Sequence, residues 1–337
     1  MSGIFCKGLV LVKKFLVFIV VLALLGSAMV TFWAYRPILA EGEQPIEFAI
    51  KPGSSVKSSA EQIAAAGVPL NPDLFHLLTR LSGQSARLKA GNYELKPGTS
   101  PLALIDQLVR GEFAQESIAI IEGWTFKQMR AAIDAHPRIR HETAGLSDKD
   151  LLAKITTDYK FPEGLFFPDT YLFAKNSSDL QIYRQAHALM LKRLEEAWSR
   201  RAPGVPYKSP YEALIMASII EKETGQKSER NMIAAVFVNR LRTGMLLQTD
   251  PTVIYGMGDR FQGNIRRKDL ETDTPYNTYT RPGLPPTPIA LPGAESLAAA
   301  LNPARSDVLY FVSRGNGTSE FSNNLADHNR AVNKYQR

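Results

Sequence analysis

The chain has one cysteine, Cys6, in 337 residues. A single cysteine excludes an intrachain disulfide, whatever the compartment. It also excludes a cysteine-built zinc site, and no His-Glu-x-x-His string supplies another metal motif. The histidines, His76, His136, His141, His187 and His328, are scattered, and each reads as a surface or structural residue. There is no Gly-x-Ser-x-Gly elbow and no glycine loop that would cradle a phosphate, which argues against serine hydrolases of that kind and against nucleotide enzymes. Internal repeats and low-complexity segments are also missing. The net charge of +7 favours a polyanionic partner such as a membrane surface or an anionic polymer. No DNA- or RNA-binding signature accompanies that charge, so no nucleic-acid partner is expected. What remains is carboxylate chemistry with polar, aromatic and proline-rich loops, a combination suited to polysaccharide.

Long apolar runs are equally scarce. The one present, residues 15–35, reads FLVFIVVLALLGSAMVTFWAY. That is about the 20 residues a helix needs to cross the hydrocarbon core. Lys7, Lys13 and Lys14 precede it, which predicts a cytoplasmic N-terminus over residues 1–14. Trp33 and Tyr35 stand at the far end, where interfacial aromatics belong. The run is long for a cleaved signal peptide, and Met29-Val30-Thr31 fits a cleavage site poorly. The sequence therefore predicts an anchor over residues 15–35 of a single-pass protein of the inner (cytoplasmic) membrane. The body then lies outside the cytoplasm, in the periplasm of a two-membrane cell. Cys6 precedes the run, so it is not a lipoprotein cysteine.

The predicted fold class is α+β. Residues 36–45 read as a short tether. A strand over 47–50 is stopped by Pro52-Gly53, and a helix over 58–66 ends at Gly67. Asn71-Pro72 opens a helix over 73–81, and Ser100-Pro101 opens one that ends at Gly111. With strands over 88–95 and 117–121, residues 46–121 form a small α+β module. Residues 122–337 read as a mainly helical domain with short strands. Thr125-x-x-Gln128 is a capping box, and Ser147-x-x-Asp150 starts a short helix. Long helices are expected over 179–200, 211–224 and 228–241. A loop-rich, proline-rich stretch follows to Gly293, then a buried strand over 308–312 and a last helix over 324–335.

The stretch Ala217-Ser-Ile-Ile-Glu-Lys-Glu-Thr-Gly225 concentrates the chemistry. An apolar helix ends in two carboxylates and a stop. A carboxyl at the end of an apolar helix is poorly solvated, so its pKa should rise, as a general acid needs near neutral pH. The plainer reading is a helix that surfaces, with Glu221 and Lys222 solvated and Gly225 as the cap. Glu221 and Glu223 lie about 200° apart around the axis and cannot jointly flank one glycosidic bond. Geometry alone does not choose between them.

Lys222-Glu223-Thr224-Gly225 is similar to the Gln-Glu-Ser-Gly string of lysozyme-like lytic transglycosylases, which implies Glu223 as catalytic acid/base. Thr224 would be its hydroxyl neighbour and Glu221 a supporting or alternative residue. Over essentially its full length the chain resembles the endolytic murein transglycosylase (YceG-like) family. The resemblance rests on Glu122-Gly-Trp124, Phe161-Pro-Glu-Gly-Leu-Phe-Phe-Pro-Asp-Thr-Tyr171, Ala217–Thr224, Val238-Asn-Arg-Leu241 and Leu247-Gln-Thr-Asp-Pro-Thr-Val-Ile-Tyr-Gly256. It continues through Pro275-Tyr-Asn-Thr-Tyr279, Gly283-Leu-Pro-Pro286, Pro292-Gly293, Leu309-Tyr-Phe-Val312 and His328-Asn329. One departure is visible. Family members often carry Gly-Gly-His before the position of Phe321, where this chain has Gly317-Thr-Ser-Glu320. A contact made by that histidine would be lost, or taken over by Ser319 or Glu320.

The resemblance implies a LysM-like region over 46–121 and a catalytic domain over 122–337. It implies cleavage of the MurNAc–GlcNAc β-1,4 bond within peptidoglycan glycan strands, leaving 1,6-anhydro ends, with no cofactor and no metal. Cell-wall synthases and associated machinery are the protein partners it implies, with nascent strands as substrate. Gln248, Asp250, Tyr255, Asn277 and Tyr279 are the candidate substrate-binding residues, since polar groups there are costly to bury unpartnered. Two alternatives stay open. One is a non-catalytic peptidoglycan-binding membrane protein. The other is a hydrolase pairing Glu223 with Glu163, Asp169 or Asp250.

Overall fold

A computed structural model describes residues 2–223 and 226–336, without the side chains of residues 2–15 and Ala23. The chain is mixed α+β, mostly helical with short strands, and divides into two compact units, Met1–Glu116 and Ser117–Arg337.

The first unit opens with α1 (Ser2–Tyr35). Its stretch Leu16–Tyr35 has a mean hydropathy of 2.5 and is long and apolar enough to cross a membrane. Then come β1 (Ile46–Ile50), α2 (Val56–Ala65), α3 (Pro72–Leu81), β2 (Gly91–Leu95) and α4 (Pro101–Arg110). The helix starts follow from their caps. Ser55, Asn71 and Ser100 each accept a first-turn N–H, and Pro72 and Pro101 occupy first positions where no donor is needed. β1 and β2 pair antiparallel, with Ile46 opposite Leu95 and Ile50 opposite Gly91. Alternation puts Phe48, Ile50, Tyr93 and Leu95 on the buried face. Phe48 stacks on its register partner Tyr93 at 5.5 Å between ring centroids. The predicted strand over 88–95 starts only at Gly91, because β1 is exhausted there and the Lys89 N–H bonds Leu108 instead. Gly91 is required, since a Cβ would stand 2.3 Å from the Phe113 ring.

Residues 36–45 are not a free tether. Ile38 N–H bonds Thr99, Leu39 accepts from Gly98, and Ala34 and Leu39 are buried with Phe48, Tyr93 and Leu104 in one core. The apolar side chains of Leu39 and Ile38 have a surface to cover, which a slack linker would leave wet.

The second unit contains β4 (Thr170–Ala174), paired with β3 (Gln115–Ala119). Its helices are α5 (Phe126–Asp134), α6 (Asp148–Ala153), α7 (Asp179–Ser199), α8 (Pro210–Glu223), α9 (Arg230–Thr243), α10 (Asp250–Met257), α11 (Arg267–Glu271), α12 (Ala294–Leu301) and α13 (Leu325–Tyr335). A hairpin of β5 (Tyr310–Ser313) and β6 (Ser319–Ser322) precedes α13. The capping box of Thr125 and Gln128 forms as the spacing predicts. α8 is the centre. Ala213 through Ile220 are all buried, a helix apolar on every side and therefore enclosed on every side. α7, α9 and α12 pack around it. Its one polar interior residue, Ser218, donates to Ile215 and accepts the Ile289 N–H at 3.0 Å, which draws the proline-rich loop along the helix.

α10, α11 and α12 fall outside the predicted elements. Asp250-Pro251 reads as a turn, but the proline stands in the first turn of α10 and starts it. α12 follows a proline-glycine pair that marks a loop, and Gly293 serves as its N-cap.

Candidate active site

α8 delivers its two terminal carboxylates to different surroundings. Glu221 turns into protein. Its side chain is 8% exposed, and its Oε2 accepts the Gly293 N–H at 3.0 Å, just ahead of α12. Arg230, the first residue of α9, lies 3.9 Å from its Oε1 and also pairs with Glu295. Glu122 joins the group. Burial, and then the charge of Glu221, raise its pKa. A Cβ on Gly293 would stand 1.9 Å from the Glu122 carboxylate, so any larger residue there would push that side chain aside. Lys222 donates to the Gly123 carbonyl at 3.3 Å. The motif Glu122-Gly-Trp124, the loop glycine and the buried arginine thus close into one structural knot around Glu221.

Glu223 turns the other way. Its Oε1 accepts the Thr249 hydroxyl at 2.5 Å. Burial raises its pKa and the nearby Asp250 charge adds to the rise, while the Thr249 hydrogen bond and the Arg240 charge oppose it. Thr249 is itself locked. Its N–H donates to the Thr278 hydroxyl at 3.1 Å, its carbonyl accepts from Thr252, and the Thr252 and Thr278 hydroxyls bond each other at 2.9 Å. All three threonines are buried. With its backbone held at both the N–H and the carbonyl, Thr249 presents its hydroxyl to Glu223 from a fixed position.

Around this pair stand three of the sequence-predicted binding residues. Gln248 is exposed and holds a left-handed backbone, φ 51°, with its N–H bonded to the Thr278 carbonyl. A non-glycine residue in that region costs free energy and marks a site that the surroundings enforce. Asp250 is exposed and accepts the Tyr279 hydroxyl at 2.6 Å. Asn277 is placed differently. It is 1% exposed, and its amide is spent on the carbonyls of Leu270 and Thr272, with its Oδ1 accepting the Tyr279 N–H. It braces the loop that presents Tyr279 and offers nothing to a ligand. Tyr255 meets Glu163 at 3.1 Å rather than Glu223. Thr224 lies outside the described residues.

Sequence reasoning passed over Thr249, Thr252, Thr278 and Arg240. Arg240 is buried, donates to the carbonyls of Leu309 and Leu247, and lies over the Tyr310 ring at 5.2 Å. An arginine within the apolar α9 was the available signal, since burial of such a charge demands partners. Glu320 does not stand free to replace a histidine, whereas Ser319 is held through its backbone alone. Glu320 pairs with Arg314, and the Ser319 N–H bonds Glu229. Asp169 starts β4, its carbonyl bonded to Ile120. Asp134, His141 and Asp179 cluster elsewhere, where the Asp179 oxygens accept from Glu142 and Thr143.

The profile of the YceG-like family matches residues 48–334, which takes in the whole of this arrangement. The chain belongs to the YceG-like family. This YceG-like chain is 33% identical over 317 residues to the endolytic murein transglycosylase of Bacillus subtilis, covering 89% of the chain and 87% of the relative. It is 28% identical over 361 residues to the endolytic murein transglycosylase of Streptococcus pneumoniae, covering 95% of the chain and 65% of that longer protein. The 2.6 Å crystal structure of a YceG-like protein from Listeria monocytogenes superposes with a TM-score of 0.54 at 32% identity, covering 85% of this chain and 98% of the other.

Proposed function

We propose that this YceG-like protein is a membrane-anchored endolytic peptidoglycan lytic transglycosylase, with Glu223 as its single acid/base. The observation that carries the reading is the setting of Glu223. A carboxyl of raised pKa closes a buried helix, held by one neutral hydroxyl and flanked by exposed Gln248 and Asp250 and half-buried Tyr279. Protonated Glu223 donates to the glycosidic oxygen as the bond between MurNAc and GlcNAc breaks. The carboxylate then takes the proton of the muramyl 6-hydroxyl, which closes on C1 and leaves a 1,6-anhydro end. An ordinary glycosidase needs a second carboxylate to supply or activate a nucleophile. Here the substrate's own hydroxyl serves, with the advantage of proximity. No cofactor enters the reaction.

The same reading makes α1 the anchor, with the N-terminus cytoplasmic and residues 122–337 as the catalytic domain outside. Residues 46–121 serve as a LysM-like glycan-holding module, supported by the strand–helix–helix–strand order of β1, α2, α3 and β2. Anchored there, the enzyme meets nascent strands beside the synthases that make them and limits their length. A hydrolase is the second reading, favoured by Asp250, whose charge reaches Glu223. Mass spectrometry of products from purified glycan strands separates the two. Anhydro ends are expected. Reducing ends would move the assignment to the hydrolase, and intact strands would leave a binding protein.

A further inference from the structure

The second unit carries a separate groove of about 1060 Å³. It is lined by the first turn of α5, the start of α6, residues 160–163 and the far half of α10. Glu223, Thr249, Asp250 and Tyr279 do not line it. Its size is that of a ligand site. Glu163 lies at the base, 6% exposed. One of its oxygens accepts the Phe126 N–H at the start of α5, and the other accepts the Tyr255 hydroxyl. Aromatic rings make the walls. Tyr255 and Tyr276 meet edge to face at 4.9 Å, Phe261 is half-buried, and Phe161 stands at the mouth with 56% of its surface exposed.

The chemistry of the lining selects its occupant. The acidic groups of the lining other than Glu163 are already paired, Asp259 with Lys127 at 2.7 Å and Asp148 with Arg130 at 2.6 Å. A cationic ligand would have to displace those partners. A ligand with flat apolar faces, a rim of hydroxyls and no positive charge would not, and Lys149 and Lys160, which also line the groove, suit the carboxylate that a muramyl unit carries. Its faces would lie on the rings, and its polar rim would meet the exposed Lys149 and Lys160. A pyranose has that form. One helix, α10, runs from the candidate active site to this groove. Asp250 opens α10 and Tyr255 follows five residues on, roughly 7–8 Å along the axis. That span is of the order of a disaccharide.

We propose that this groove is a glycan subsite that holds sugar units of the same strand whose bond is cut at Glu223. The proposal rests on the lyase reading above. It gives the enzyme a grip inside the strand, so that a strand too short to reach the groove is cut less efficiently than a long one.

The test uses the full-length protein in detergent and purified glycan strands of graded length, with and without their stem peptides. Phe161→Ala should lower the ratio of kcat/KM on long strands to that on short strands by about tenfold, chiefly through KM, which is the scale of one aromatic contact. Phe161 is exposed, so its truncation leaves the core intact. Phe161→Trp should restore the ratio, which a merely structural defect would not allow. An unchanged ratio in Phe161→Ala overturns the proposal. So does a change confined to strands that still carry stem peptides, because the occupant would then be peptide. Glu223→Gln run in parallel separates the two layers. If it turns over normally, the lyase reading fails. If it is inactive while Phe161→Ala keeps the normal ratio, only the groove assignment fails.

Discussion

Glu221 and Glu223 stand two residues apart on one helix, and their surroundings differ in kind. Glu221 faces a buried arginine and the backbone N–H of Gly293, just ahead of α12. Glu223 faces a neutral hydroxyl and the edge of solvent, with its cation, Arg240, turned toward other carbonyls. A carboxylate given a cation and an N–H is held in place. A carboxyl given one hydroxyl and little solvent is free to exchange a proton. The comparison separates a residue that builds the site from one suited to act in it, and four measurements break or sharpen it.

Glu223→Gln should cost the most. Shape and hydrogen bonding survive, but proton transfer does not, so turnover should fall about 10²–10⁴-fold with folding intact. An active Glu223→Gln beside an inactive, folded Glu221→Gln would reverse the assignment.

Glu163 extends the comparison to a third carboxyl. Burial pushes its pKa from 4.5 to about 7. The folded state then holds a proton that the unfolded state releases, so stability is highest below pH 4.5 and declines as pH rises toward 7. Full expression of that shift is worth at most about 3 kcal/mol. Glu163→Gln should flatten the fall in Tm between pH 5 and pH 8, read by calorimetry. Parallel Tm curves for the two proteins would show that Glu163 does not titrate in that window.

Glu221→Gln should lower stability by about 1–3 kcal/mol, since it leaves Arg230 without one of its charge partners in a buried site. Denaturant unfolding measures this. The variant that folds should keep its rate within about tenfold, below the range set by losing a general acid.

Thr249→Val should have the smallest effect. Loss of one hydrogen bond to a charged group costs about tenfold in rate. The sign of the accompanying pH shift is fixed. The hydroxyl stabilises the Glu223 carboxylate, so its removal raises the Glu223 pKa further. The fall of activity on the alkaline side, where Glu223 loses its proton, should move to higher pH. Thr249→Ser should restore both rate and profile. An unshifted profile in Thr249→Val would mean that the hydroxyl does not touch the working carboxyl.

Helices with their own punctuation were legible in the sequence. α3 and α4 announce themselves by Asn71-Pro72 and Ser100-Pro101, and α5 by its capping box. α8 was legible as a buried helix ending in acids. α10 was not, because Asp-Pro serves equally as a turn and as a helix start, and only the Thr249–Thr278 lock decides between them. The same limit applies to the site. The two glutamates could be found from local pattern, but their separate roles depend on Gly293, Arg230 and Thr249, far from each other in the chain. Polarity alone marked Asn277 as a candidate ligand, yet neighbouring carbonyls satisfy it completely, which no local pattern reveals.

The join between α1 and the first unit has a mechanical consequence. Ala34 and Leu39 belong to the same core as Phe48 and Tyr93, and the backbone between them is bonded to residues 98 and 99. No slack chain separates the long apolar helix from the strands. With that helix set across a bilayer, the module stands at a fixed height above the headgroups, and any tilt of the helix swings the module through the same angle. Lateral motion in the membrane is then the module's main freedom, so the surface it searches is a thin layer of constant depth.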